Sequence, residues 1–159
     1  MTLPNGMLAA ILAVSLLGPP QPTGAAEPGL ITKASRYSVP ETIERFEAAI
    51  KAKGWLVFAE LDHAVAAARV GLQLRPRTVV LFGNPKLGTV PMQMAPTLAI
   101  DNPPKALVWQ DDQGKVWLTY NTAEYIASHV YPRHTLTVTA EGLKNLEQFL
   151  AETSDQATK

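Results

Sequence analysis

The sequence predicts one domain in which helices and strands are mixed. Two helix starts are marked by a capping residue with a glutamate three positions later, at Ser38 and at Asn121, and apolar residues at helical spacing follow the first. A β-hairpin is marked by turn residues at positions 111–114 between two β-rich runs. The length of 159 residues and the hydrophobic fraction of 47% are typical of one core. We therefore expect a single globular domain with both kinds of element.

Residues 1–26 have the features of a signal peptide. The apolar segment Met7–Leu17 is too short to span a bilayer comfortably but has the length of a signal-peptide hydrophobic region. Small residues at positions 24–26 offer a cleavage site before Glu27, although no Lys or Arg precedes the apolar segment. We expect a periplasmic or secreted protein cleaved after Ala26. An uncleaved membrane anchor and a disordered leader are the alternatives.

Composition excludes several classes of protein. Lys and Arg together number 14, as do Asp and Glu, so the basic footprint of a nucleic-acid-binding protein is missing. The chain has no cysteine, which excludes disulfides, thiolate metal sites, covalent c-type haem and a cysteine nucleophile. It also lacks the G-x-S-x-G, H-E-x-x-H and dinucleotide-binding motifs. The sequence identifies no reaction, and we expect a binding domain rather than an enzyme.

The first part of the domain is predicted to contain two strands separated by a helix. A strand over Leu30–Tyr37 precedes a helix that is capped by Ser38. That helix ends at Gly54, because glycine readily adopts the left-handed conformation of a C-terminal cap. The next strand, Trp55–Leu61, is a nearly continuous apolar run, which predicts burial on both faces of a sheet.

A short crossover is predicted between this strand and the following one. Asp62 can cap a helix over His63–Val70, and Arg75-Pro76 then forces an extended turn into the strand Thr78–Phe82. The connection is long enough to join two parallel neighbours. The segment after the second strand is interpreted as a turn, and a short helix is expected to start at Pro91.

The second half of the domain is predicted to contain the hairpin and two further helices. The strands Lys105–Gln110 and Lys115–Tyr120 flank the turn. One helix starts at Asn121 and runs to about His129, and a final helix over Ala140–Ala151 carries a stripe of leucines. The domain is thus expected over residues 27–152, with residues 153–159 as a disordered tail.

Polar residues follow both apolar strands of the first half, at Asp62-His63 and at Asn84. If those strands are parallel neighbours, both groups lie beyond the carboxyl ends of the strands, where open α/β sheets bind ligands. Arginine, asparagine and lysine side chains there would bind an anionic group, while Asp62 or His63 positions the rest of a small polar or anionic ligand. The candidate ligand-binding residues are Asp62, His63, Arg75, Asn84, Asp101 and Lys105.

Each candidate also has a structural interpretation. Asp62 is explained by helix capping, and Gly83–Thr89 by a plain turn. Arg75 and Lys105 are equally suited to salt bridges, which use the same residue types as binding sites. If Asp62 and His63 instead form an acid/base pair, the protein is an enzyme of unknown class.

A copper or haem carrier is the third functional hypothesis. Met92-Gln93-Met94 together with His63, His129 and His134 offers thioether and imidazole groups, which suit copper in an exported protein. Methionine is more often a core residue, however, so we expect no metal and no cofactor.

Three segments carry a resemblance to a known family: VFAELDHAVAAARVGLQLRP, LFGNPKLGT and APTLAIDNPPKALVWQDDQGKVWLTYN. They resemble the domain-of-unknown-function 302 family over about Ser35–Ile126. The sequence departs from the family pattern at Asn102-Pro103-Pro104, where an aliphatic residue is expected. The characteristic positions fall on Asp62, His63, Gly71, Arg75, Pro76, Gly83, Asn84, Pro85, Gly88, Thr89, Asp101, Pro103, Lys105 and Tyr120.

The resemblance implies an α+β fold with one mixed, largely antiparallel sheet backed by helices, similar to a single TATA-binding-protein-like repeat. It implies no known reaction. It also implies a homodimer, which fits an outward-facing Trp109 or Trp117 on the hairpin that would need cover. We expect no nucleic acid and, once the leader is cleaved, no membrane among the partners. An antiparallel sheet would separate Asp62 from Asn84, so the resemblance leaves the predicted clustering open.

Overall fold

The computed structural model describes residues 28–159. The predicted signal peptide and its cleavage site after Ala26 lie outside the described residues. Within them, no helix is both long enough and apolar enough to cross a membrane.

Five strands form one antiparallel sheet in the spatial order β1-β5-β4-β3-β2. The strands are β1 (Leu30–Ser35), β2 (Leu56–Asp62), β3 (Arg77–Gly83), β4 (Lys105–Gln110) and β5 (Val116–Asn121). The helices are α1 (Val39–Ala52), α2 (His63–Ala68), α3 (Pro85–Met94), α4 (Ala123–Tyr125) and α5 (Ala140–Thr158). Three short turns of other helical types cover Pro96–Ile100, Ile126–Val130 and Pro132–His134. The α+β fold, with an antiparallel sheet backed by helices, is confirmed, whereas the likeness to the TATA-binding protein stays a prediction.

The main core lies between one face of the sheet and the helices α1 and α5. Alternate residues of β3, β4 and β5 are buried on that face, as the two-residue period of a strand requires. Phe46 of α1 meets Phe82 of β3 edge to face at 5.4 Å between ring centroids, and Trp55 stacks on Phe149 of α5 at 3.9 Å. Ser38 caps α1, since its hydroxyl accepts a hydrogen bond from the Glu41 amide at 3.3 Å, which confirms that predicted helix start.

The prediction of a disordered tail at residues 153–159 is wrong, because α5 continues to Thr158. The last turns of the helix contain small polar residues that look suited to solvent, yet Thr153 and Ser154 are fully buried. Their hydroxyls donate to carbonyls one turn back, at 2.8 Å to Phe149 and 2.6 Å to Leu150. This satisfies the polar groups inside the core, so burial costs little.

The strand β2 is an exposed edge strand that runs antiparallel to β3, so two predictions about it are wrong. Its apolar residues are not buried on both faces, because Leu56, Phe58 and Leu61 each keep about half of their surface exposed. It is also not a parallel neighbour of β3: Leu56 pairs with Gly83, and Asp62 pairs with Thr78. An uninterrupted apolar run in the sequence does not distinguish a buried central strand from an exposed edge strand.

Two helix starts differ from their predicted positions. Asn84 is followed directly by α3, where a turn was predicted, and Pro91 lies inside that helix instead of beginning one. The helix predicted to start at Asn121 is capped by Thr122, whose hydroxyl accepts from the Tyr125 amide at 3.0 Å, because Asn121 still belongs to β5. Both shifts are small along the chain. Because β3 and β5 are both antiparallel to β4, Asn84 and Asn121 lie at the same edge of the sheet.

Candidate functional site

The antiparallel register divides the predicted site residues between two opposite ends of the sheet. We call the end where β3 and β5 finish, at Gly83 and Asn121, the cavity end. The other end, where β2 finishes at Asp62 and the β4–β5 turn lies, is the hairpin end. The two ends of β2 are roughly 20 Å apart at the usual rise of a strand. The predicted convergence of Asp62 with Asn84 is therefore wrong.

The predicted residues at the hairpin end have local structural roles. Asp62 is exposed and accepts a hydrogen bond from the Val65 amide at 3.0 Å, which caps α2 as the sequence predicted. His63 is the exposed first residue of that helix. Arg75 donates to Asp112 at 2.9 Å, and both side chains are about half exposed. Asp62, His63 and Arg75 do not line the cavity that lies at the other end of the sheet.

The cavity end holds a cavity of about 560 Å³. It lies beside the last residues of β3 and the first of β4, under α3 and against the helical segment that follows β5. A volume of this size is within the range of small-molecule sites. Apolar and aromatic side chains form most of its wall, namely Trp55, Phe58, Leu81, Phe82, Leu87, Met92, Tyr125, Ile126, Val130, Tyr131, Leu146 and Leu150.

Three of the six predicted residues, Asn84, Asp101 and Lys105, line this cavity together. Asn84 uses its side-chain oxygen to cap α3, where it accepts from the Lys86 amide at 3.0 Å. Its amide nitrogen therefore remains a donor. Lys105 is exposed and takes part in none of the ion pairs found among residues 28–159.

Asp101 is held by a histidine that sequence reasoning did not place beside it. The Asp101 carboxylate accepts from His134 Nε2 at 2.6 Å, and the other ring nitrogen, Nδ1, lies 2.9 Å from the Thr97 hydroxyl. This hydrogen bond, with help from the Arg133 guanidinium and against partial desolvation, holds the pKa of Asp101 below its ordinary value. Because an ionised carboxylate can only accept, His134 carries a hydrogen on Nε2, and in the neutral ring Nδ1 would then accept from the Thr97 hydroxyl.

Arg133, which lines the cavity, is the second neighbour of Asp101 that the sequence did not reveal. Its guanidinium lies 3.6 Å from the Asp101 carboxylate, too far for a hydrogen bond, and its side chain is 61% exposed. Arg133 and His134 are separated from Asp101 by more than 30 positions and belong to a turn that also contains Pro132. No periodic pattern marks such a turn, and only the capacity of arginine and histidine to meet a carboxylate could have suggested the contact.

A glycine allows an aromatic side chain to form part of the cavity wall. A Cβ atom at Gly83 would come within 3.0 Å of the Phe58 ring and 3.5 Å of Pro103. At 3.0 Å the Phe58 ring would have to shift by a few tenths of an ångström, whereas 3.5 Å to Pro103 is ordinary van der Waals contact. Glycine at this position therefore permits Phe58, from the exposed edge of the sheet, to approach the end of β3 and form part of the wall.

The residues proposed for copper or haem are dispersed. His63 is at the hairpin end, His134 is buried with Asp101 and Thr97, and Met94 is 73% exposed. Only Met92 and His129 of that set line the cavity. Among the described residues 28–159, no group of three or more His, Cys, Asp and Glu side chains is arranged to hold a metal ion. This geometry gives no support to the copper hypothesis.

Comparisons with known proteins agree on the family. Residues 31–153 match the family model described as Domain of unknown function DUF302. The fold resembles a solved structure described as "Crystal structure of uncharacterized conserved protein DUF302 from Bacillus stearothermophilus". The TM-score is 0.67 at 20% sequence identity, and the likeness covers 81% of this chain and 98% of the other. This confirms the fold and the family resemblance.

Curated relatives match over a shorter part of their own length. The chain is 45% identical over 113 residues to the fluoride-specific ion channel FluC 1 of Brucella suis biovar 1 (strain 1330), covering 71% of this chain and 43% of the relative. The same identity and 71% coverage hold for fluoride-specific ion channel FluC 2 of Brucella melitensis biotype 1 (strain ATCC 23456 / CCUG 17765 / NCTC 10094 / 16M), of which 40% is covered. The chain thus spans about two fifths of the length of these relatives.

Proposed function

The chain belongs to the DUF302 family, and from this premise we propose that it is an exported domain that binds a small organic ligand, without catalysis, in the cavity at the end of the sheet. The observation that carries the proposal is the combination of an apolar cavity of about 560 Å³ with a few convergent polar groups, Asn84, Asp101 and Lys105. Small-molecule sites are commonly built in this way, since apolar walls supply affinity and isolated polar groups fix orientation.

The names of the Brucella relatives raise fluoride as an alternative ligand, but the cavity favours a larger molecule. Fluoride is a small, strongly hydrated anion that gains nothing from contact with apolar walls. An organic ligand buries apolar surface against the same walls, at about 25 cal/mol for each Å² removed from water. More than half of each relative also lies outside the match, so their name is not transferred to this domain.

Export is supported by the leader sequence. The apolar segment Met7–Leu17 and the small residues before Glu27 have the order of a secretory signal. The test is a mass spectrum of the protein purified from its own source. We expect a mature chain that starts at Glu27. A chain that retains Met7–Leu17 would refute cleavage.

Ligand binding is tested by filling the cavity. Gly88 of α3 lines it, and a Cβ atom there would have only Met92 and Asn102 nearby, at 3.8 and 3.9 Å. Gly88→Leu is therefore expected to fold, helped by a gain in helix propensity of up to about 1 kcal/mol. It should remove any ligand that native mass spectrometry detects on the wild type, and also the binding of the neutral fluorescent probe phenylnaphthylamine.

A matched control keeps this experiment interpretable. Ala66→Leu adds a similar side chain to an exposed position of α2 at the hairpin end. We expect this variant to retain ligand and probe like the wild type. If Gly88→Leu and Ala66→Leu bind the probe equally well, the cavity is not the binding site and the proposed function is wrong.

We propose further that the domain forms a homodimer through β2. Leu56, Phe58 and Leu61 are about half exposed, and this edge strand lacks the proline or lysine that protects many edges from pairing. The tryptophans of the hairpin do not need a partner for their polar atoms, since Trp109 donates to Thr119 at 3.0 Å and Trp117 donates to Asp111 at 2.8 Å within the chain. Light scattering at micromolar concentration should give a dimer mass, and Leu61→Lys should give a monomer. A monomeric wild type would contradict the dimer.

A further inference from the structure

We infer that the ligand is an amphiphilic monoanion whose acid group lies between Lys105 and Arg133 and whose apolar body lies against the aromatic wall. This inference rests on the proposed function, because it assigns a chemical class to the ligand of the same cavity. It follows from the charges that line the cavity, from the hydrogen-bond donors that remain available there, and from the side chains that face them.

The charged side chains that line the cavity are Lys105, Arg133 and Asp101, two cations and one anion. The anion is already engaged, since Asp101 accepts from His134 at 2.6 Å. A cavity with one cation in excess complements one negative charge. A second negative charge on the ligand would meet the Asp101 carboxylate, so a monoanion fits better than a dianion.

Both cations retain donors for a ligand. Arg133 lies 3.6 Å from Asp101, beyond hydrogen-bond distance, so the planar fork of its guanidinium remains available to a carboxylate or sulfonate. Lys105 has no ion-pair partner within the described part of the chain. The amide nitrogen of Asn84 is a third donor, because the oxygen of that side chain caps α3.

Much of the cavity wall is apolar, and part of it is rigid. Trp55 is fixed by its stack on Phe149 at 3.9 Å, and Tyr125 stacks on His129 at 5.0 Å. Flat side chains that are held in place bind aromatic groups at little cost in conformational entropy. A ligand with only a charged group would leave this wall unused. A neutral ligand would leave the donors of Arg133 unused and would give Lys105, which has no ion pair among residues 28–159, no charge to bind.

The experiment compares two fluorescent probes with similar ring systems and different charges. Anilinonaphthalenesulfonate is a monoanion, and phenylnaphthylamine is neutral. Both are titrated into the full mature chain carrying Lys105→Gln, Arg133→Gln, Gly88→Leu or Arg75→Gln. The last variant is the matched control, since it removes an arginine at the hairpin end that also pairs with an aspartate.

We expect Lys105→Gln and Arg133→Gln each to lower the affinity for the sulfonate probe by about tenfold, because each removes a charge-assisted hydrogen bond. Each substitution should lower the affinity for the neutral probe far less than the affinity for the sulfonate, and Arg75→Gln should change the affinity for neither probe. Binding of the sulfonate probe should weaken with added salt, whereas binding of the neutral probe should not. Naphthalenedisulfonate should compete with the sulfonate less well than naphthalenesulfonate does.

Two different failures can be told apart. If Gly88→Leu blocks the neutral probe but the sulfonate is insensitive to Lys105→Gln and Arg133→Gln, the cavity binds ligands and the monoanion assignment is wrong. If Gly88→Leu blocks neither probe, the proposed function is wrong as well. An equal loss with Arg75→Gln would also overturn the assignment, because it would indicate general attraction to positive charge.

Discussion

At the hairpin end of the sheet, the polar side chains are exposed to solvent and hydrogen-bond to neighbouring groups of the protein. At the cavity end, the polar side chains border an apolar cavity. Asp62 and Arg75 each have one close partner, an amide of α2 and the carboxylate of Asp112. Asn84 and Asp101 also have partners, but each presents its remaining hydrogen-bonding capacity to a concave space. The residue types are alike at both ends, and the difference is the surface around them.

A polar residue after a strand is therefore not by itself a sign of a site. A capping aspartate and an exposed salt bridge complete the local structure. Water competes for the hydrogen-bonding capacity that these side chains retain. Beside an apolar wall Asn84 and Asp101 are only partly exposed, and a ligand that covers them would exclude water and strengthen its hydrogen bonds to them. The site is thus defined by the wall that Trp55, Phe58 and Tyr125 help to form as much as by its polar residues.

The largest expected effect is the loss of stability in Asp101→Ala. His134 is almost completely buried, and its Nε2 donor would lose its acceptor, which costs about 1–3 kcal/mol of unfolding free energy. Asp112→Ala at the hairpin end removes an exposed ion pair and should cost about 0.5 kcal/mol or less. Urea denaturation of the two variants measures the contrast. Equal losses would contradict the assigned difference in burial.

A smaller effect is expected in acid. The pKa of Asp101 is lowered in the folded protein, so its ionised form contributes stability above its ordinary pKa of about 3.9, and this is lost as the pH falls through the lower folded value. Asp101→Asn lacks this contribution. The stability difference between wild type and Asp101→Asn, measured by urea denaturation, should therefore shrink as the pH is lowered from neutral into that range. A constant difference would show that Asp101 does not titrate in this way.

The smallest effect on ligand binding is expected for Asp62→Ala. This change removes the cap of α2, a short and exposed helix, and should cost about 1 kcal/mol. Because Asp62 lies at the hairpin end, the variant should bind phenylnaphthylamine with the affinity of the wild type. Asp62→Asn retains a capping oxygen and serves as its control. Loss of probe binding in both variants would place a site at the wrong end of the sheet.

Local features of the fold could be predicted from the sequence, because local residues determine them. The Ser38 cap, the Asp62 cap and the hairpin depend on side chains within a few positions of one another. The direction of β2 relative to β3 could not be predicted, since an apolar run has the same period in either orientation. The helix predicted to end at Ala151 continues further because Thr153 and Ser154 bond to their own helix, which composition does not reveal.

The candidate site was predicted only in part, because its assembly depends on the strand direction and on contacts between distant segments. Asn84, Asp101 and Lys105 were identified because they adjoin strands, and strand ends are where loops and sites meet. Asp62, His63 and Arg75 were placed with them through the wrong strand direction. Arg133 and His134 were missed as partners of Asp101 because the contact is made between two irregular turns far apart in the sequence.

The central claim, that the ligand site lies at the cavity end, is tested most directly by mapping amide chemical shifts by NMR. Phenylnaphthylamine is titrated into the isotope-labelled mature chain, with Gly88→Leu as the control. We predict shifts at Gly83, Asn84 and Lys105 and in the segment from Tyr125 to Arg133, all lost in Gly88→Leu. Amides of Asp62, His63 and Arg75 should not move. Shifts concentrated at those three residues, or unchanged by Gly88→Leu, would contradict the account.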